Sequence, residues 1–97
     1  MAQNTVRPPT EAERHQVQQI VSRHEADRPD GVCRVEVEFG EDWTGYPAAY
    51  IHLFVDKTLE PTADKIDELN RFVKVLHDEI IDAGVSFWPY SRTSLEE

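Results

Sequence analysis

The stretch Val32-Cys-Arg-Val-Glu-Val-Glu-Phe-Gly-Glu-Asp-Trp-Thr-Gly-Tyr-Pro-Ala-Ala-Tyr-Ile-His-Leu-Phe-Val55 decides the fold. Its first limb alternates: Cys33, Val35, Val37 and Phe39 point one way, and Arg34, Glu36 and Glu38 the other. Period-two alternation of this kind marks a half-buried strand, with Cys33 expected as a small core side chain. Residues Gly40 to Pro47 have the composition of a loop. In the second limb Ala49, Ile51, Leu53 and Val55 form an apolar face, while Tyr50, His52 and Phe54 form an opposite face that is unusually aromatic. Both core faces are odd-numbered, so cross-strand pairs must join residues of like parity; a slip by one residue would turn one face outward. The shortest comfortable hairpin sets Phe39 opposite Ala49, and therefore Glu38 opposite Tyr50, Glu36 opposite His52 and Arg34 opposite Phe54.

Outward from the hairpin lie two helical patterns. Upstream, Thr10-Glu11-Ala12-Glu13 reads as a capping box in which hydroxyl and carboxylate each take the other's main-chain amide. Val17, Ile20, Val21 and His24 then recur at helical offsets, and Arg28-Pro29-Asp30-Gly31 is a turn signal. Downstream, Pro61 and Thr62 open a second helix whose stripe is Ile66, Leu69, Val73, Leu76, Ile80 and Ala83, with Gly84 as its stop. Val85 to Tyr90 predicts a short third strand, placed at an edge or cut short by Pro89. The order α-β-β-α-β predicts an α+β two-layer sandwich: a three-stranded mixed sheet with both helices on one face. The pattern leaves open whether the third strand joins the first or the second. Residues 1–9, with Pro8-Pro9, read as an arm, 10–91 as one domain and 92–97 as a tail.

If the third strand shares the sheet, Trp88 and Tyr90 fall on the same even-numbered face as Tyr50, His52 and Phe54. Each aromatic ring buries about 150–250 Å², so together they exceed the few hundred Å² of contiguous apolar surface usual on a monomer. Trp43 and Tyr46, in the hairpin loop, are further contact candidates. These seven residues are the predicted interface, and its predicted occupant is a protein: a second copy, giving a homo-oligomer, or the product of a neighbouring gene. A Glu36–His52 pair across the hairpin would make such binding respond to mild changes of pH.

Charge narrows the alternatives. The 97 residues carry a net charge of -9, concentrated between Glu36 and Glu60, where six acids face only Lys57. Such a chain is repelled by phosphate backbones and anionic lipid, so no nucleic acid and no membrane is expected as partner. With one cysteine and no apolar leader at the N-terminus, the cytoplasm is the expected compartment. The four histidines show no metal-ligand spacing, and no phosphate loop, dinucleotide fingerprint or nucleophile elbow occurs, so no cofactor is expected. The alternative reading is a metal-dependent phosphodiester hydrolase built on Asp42, Glu38 and His52, since such centres need converging acids.

The segment Glu38 to Leu53, with its acidic Gly- and Pro-bearing loop leading into a hydrophobic strand, and the later Trp88-Pro89-Tyr90, resemble small uncharacterised bacterial α+β proteins. The resemblance covers about half the chain. It implies a bacterial protein encoded beside a functional partner, and it brings neither an activity nor catalytic residues.

Overall fold

The computed structural model describes residues 8–96. The predicted arm therefore lies mostly outside the described residues, as does Glu97 of the predicted tail. The order is α1 (Glu11–Glu25), β1 (Val32–Glu41), β2 (Pro47–Asp56), α2 (Ala63–Asp82) and β3 (Trp88–Glu96), an α+β arrangement. The sheet order is β1-β2-β3; β2 pairs with β1 antiparallel and with β3 parallel, so the sheet is mixed and β2 is central. A parallel neighbour requires a crossover, and α2 supplies it.

Local chemistry sets each boundary. Thr10 and Glu13 form the capping box: the Glu13 amide donates to Thr10 Oγ1 at 3.1 Å, and the Thr10 amide to Glu13 Oε1 at 3.0 Å. Thr62 caps α2 by accepting from the Lys65 amide. At the far end Gly84 takes φ +71°, a left-handed conformation that stops the helix at no steric cost.

The hairpin register follows parity: Phe39 faces Ala49, Glu38 faces Tyr50, Glu36 faces His52 and Arg34 faces Phe54. Three expectations are corrected. The hairpin loop is shorter than Gly40 to Pro47, because Gly40 pairs with Ala48 and Glu41 with Pro47. Cys33 is exposed rather than in the core: the ladder is irregular between Val32, opposite Val55, and Arg34, opposite Phe54. This bulge breaks the alternation and hands the buried place to Val32. Residues 92–96 are no tail, since β3 runs beside β2 as far as Glu96, opposite Asp56. Pro89 is tolerated because β3 is an edge strand, with one flank free of ladder bonds.

One buried cluster joins Val17, Ile20 and Val21 of α1, Leu76 and Ile80 of α2, and the odd-numbered Val35, Ile51, Leu53, Val55 and Phe87. Two polar ties hold its rim. Glu79 of α2 accepts from Arg23 at 2.7 Å and lies 2.7 Å from His24 Nε2, and these α1 groups, His24 foremost, hold its carboxyl below the usual range. Buried Glu13 also accepts the Ser86 amide at 3.1 Å, fastening the segment between α2 and β3 to the start of α1.

Replacing Glu13 by alanine removes the carboxylate half of the capping box, leaving the Thr10 hydroxyl in place, and strands the Ser86 amide, at an expected cost of about 1–3 kcal/mol in urea unfolding. Glu11→Ala, two residues earlier and exposed, serves as the near-neutral control. Cys33 is expected to react with a disulfide reagent in the folded protein. Desolvation among its neighbours, then the Glu96 carboxylate, raise its thiol above the ordinary value. Less thiolate is then present at neutral pH, so the reaction runs slower than for a free thiol and speeds up with alkali. A thiol inert until urea is added would contradict the bulge.

Candidate functional site

The like-parity register gathers the predicted even-numbered residues on one face. Across it, Arg34 neighbours Phe54 and then Ser94; Glu36 neighbours His52 and then Arg92; Glu38 neighbours Tyr50 and then Tyr90; and Gly40 neighbours Ala48 and then Trp88. The middle of this face is largely covered by its own residues. The Arg34 guanidinium lies 3.8 Å above the Phe54 ring and pairs with Glu36 and, at 2.9 Å, with Glu96. His52 stacks on Phe54, centroids 4.1 Å apart, and its Nε2 is 2.7 Å from Ser94 Oγ. The expected Glu36–His52 pair is thus replaced by Arg34–Glu36 and His52–Ser94, because arginine offers Glu36 a permanent charge.

Tyr50 and Tyr90 stack with centroids 5.5 Å apart, and Arg92 lies 4.9 Å above Tyr50. Both hydroxyls reach the hairpin end: Tyr50 donates to the carbonyl of Glu41, the last residue of β1, and Tyr90 to Asp42 Oδ2 in the loop, each at 2.8 Å. The Tyr50 ring passes over Gly40, where an added Cβ would sit 3.9 Å from it. These two tyrosines brace the loop.

The loop is wound round one carboxylate. Asp42 Oδ1 accepts from the Thr44 amide at 2.9 Å, the Thr44 hydroxyl at 2.6 Å and the Tyr46 amide at 3.0 Å, while Oδ2 takes Tyr90. Main-chain bonds from the Asp42 amide to the Tyr46 carbonyl and from the Gly45 amide to the Asp42 carbonyl close it, with Gly45 at φ +88°. These donors, the Thr44 hydroxyl foremost and then Tyr90, hold the Asp42 carboxyl down at about 2. The same bond raises the Tyr90 phenol.

A loop fixed so firmly carries Trp43 at 92% exposure and Tyr46 at 47%, and Trp88 at the start of β3 is 54% exposed. Tyr46 and Trp88 line a cleft of about 360 Å³ together with Asp42, Pro47, Phe87 and Tyr90. The seven predicted interface residues therefore divide into two groups. Tyr50, His52, Phe54 and Tyr90 are half-buried and engaged within the chain, whereas Trp43, Tyr46 and Trp88 stand free at the hairpin end.

The acids of the hydrolase alternative do not converge. Asp42 has both oxygens occupied, Glu38 and His52 lie on different strands and different rungs, and among the described residues no three His, Cys, Asp or Glu side chains are placed to hold a metal ion. His77 of α2 buries its Nε2, and burial pushes its imidazole down. The periodicity of α2 hides this, because His77 directly follows the core residue Leu76 and adjoins β3 only in three dimensions. No helix among the described residues is long and apolar enough to cross a membrane. Set against family models, curated proteins and solved structures, the chain matches none.

The loop's dependence on one carboxylate has a definite pH sign. The Asp42 contribution is fully present above pH 3.8, its ordinary value, and is lost as pH falls through about 2. The Thr44 and Tyr46 amide resonances are expected to titrate with that low midpoint. In Asp42→Ala, one tyrosine should ionise at lower pH in near-ultraviolet titration; an unchanged tyrosine titration would show that Asp42 does not hold Tyr90.

Proposed function

We propose that this protein is a non-catalytic interaction module that docks another protein on the aromatic end of its sheet, with Trp43, Tyr46 and Trp88 as the contact core. The observation that carries the reading is Trp43 itself, a nearly fully exposed indole on a loop held by four hydrogen bonds to Asp42. Exposed tryptophan is costly to leave in water and is the side chain most enriched among binding hot spots. Immobilising it in advance removes ordering entropy that binding would otherwise cost. Tyr50, His52, Phe54 and Tyr90 form the braced ground beside it. The reading takes both helices to serve the odd-numbered side, which leaves the even-numbered side and the hairpin end for the partner.

That partner is a second copy of the chain or the product of a neighbouring bacterial gene, meeting it in the cytoplasm. The module then works as a homo-oligomer or as the smaller member of a pair. Area fits the scale: two tryptophans and a tyrosine supply several hundred Å² toward the roughly 800 Å² that one side of a standard interface buries.

A photo-cross-linking residue at position 43 or 88, introduced in living cells, is expected to give one discrete adduct, either of dimer mass or of one heterologous partner. Position 75 provides the control, since Val75 on α2 is as exposed as Tyr46. Equal labelling at 43, 88 and 75 would remove the reading.

A further inference from the structure

We infer that the segment docking at the hairpin end is a basic stretch of a partner protein that lays an arginine guanidinium on Trp43 or Trp88. This rests on the interaction reading above and adds the chemistry of the occupant.

The chain shows the contact three times within itself. Arg34 lies 3.8 Å above Phe54, Arg92 4.9 Å above Tyr50 and Arg14 5.9 Å from the Phe87 centroid. Among the described residues no cation lies over Trp43, Trp88 or Tyr46, although indole offers a cation the best ring face of any side chain. None of the residues lining the hairpin-end cleft is basic.

The acids nearby complete the argument. Glu36 is neutralised by Arg34, and Asp42 is consumed by its loop. Glu38 and Glu41 are exposed, and neither carboxylate has an ion pair or hydrogen bond among the described residues. Uncapped indoles at the same end of the sheet as free carboxylates match a guanidinium, which stacks through its plane and forks to carboxylate through its edge. The opposite end of the sheet is built otherwise. Its apolar cleft of about 540 Å³, lined by Leu59, Ile66, Leu69 and Leu95, carries Lys57 and Lys65, which would repel a basic segment.

The test is a titration of the isotope-labelled full chain with capped glycine–arginine repeat peptides and their lysine and glutamate counterparts, read at the two indole N–H resonances. The arginine peptide should move both indoles, bind more tightly than the lysine peptide, and weaken as salt is added. Trp43→Ala combined with Trp88→Ala should weaken it about fivefold. Glu38→Gln with Glu41→Gln should weaken it while leaving the fold unchanged. Indoles that stay still, lysine binding as well as arginine, or shifts confined to other surfaces would each overturn the inference. If cross-links form at 43 and 88 while the peptide leaves the indoles unmoved, only the guanidinium assignment falls. If neither occurs, the docking reading falls with it.

Discussion

The whole arrangement depends on β2 being paired along both flanks with partners of like parity. On the β1 side Phe54 meets Arg34 and Tyr50 meets Glu38; on the β3 side Phe54 meets Ser94 and Tyr50 meets Tyr90. A central strand so constrained cannot slip on one flank without breaking the other, because each slip by one residue exchanges Ile51 and Leu53 for His52 and Tyr50 in the core. Ile51 and Leu53 are fully buried, so that exchange would sink an imidazole and a phenol among aliphatic side chains. Core and surface are thereby specified together. What lies outward on β2 is dictated by what must lie inward.

This coupling explains what was legible in the residues. The alternation of Val35, Val37 and Phe39 against Ile51, Leu53 and Val55 carries the register, and the register carries the even-numbered face. Thr10 and Glu13 announce α1 through their own side-chain chemistry, and Thr62 and Gly84 bracket α2 similarly. The second half of β3 was hidden, because Ser91-Arg92-Thr93-Ser94 has no apolar alternation to read. It is held by main-chain pairing and by side chains that belong to other strands, His52 on Ser94 and Arg34 on Glu96. The bulge at Cys33 was hidden for a related reason. Val32, Cys33 and Val35 offer two apolar residues of opposite parity ahead of the next, and only the third dimension selects between Val32 and Cys33.

The division of the aromatic residues into engaged and free ones was also beyond pattern reading. Composition places rings on a face; it does not say which have an arginine above them or a carboxylate at their hydroxyl. Arg92 decides the fate of Tyr50, and Asp42 that of Tyr90, and neither pair is close in sequence. The Asp42-Trp43-Thr44 turn has a counterpart in Asp56-Lys57-Thr58, where the carboxylate again takes the Thr58 amide and hydroxyl, at 2.8 and 2.7 Å. The two ends of β2 are thus closed by the same side-chain device with different residues displayed at the tip, an indole at one and an ammonium at the other.

That contrast bears on why the aromatic residues at the hairpin end stay uncovered. In the middle of the even face, arginines from both edge strands fold inward over the rings, so the edges of a three-stranded sheet help protect its open side. At the hairpin end no strand continues beyond the turn, and no edge arginine reaches the rings there. A tryptophan in such a position has either to collapse onto the sheet or to be held away from it. The tyrosine braces and the Asp42 turn hold it away, at the expense of hydrophobic burial that a relaxed loop would recover by folding Trp43 back. Four hydrogen bonds that keep an apolar ring in water make physical sense where a second surface removes that ring from water. On the proposed docking reading, display and burial are two stages of a single interaction.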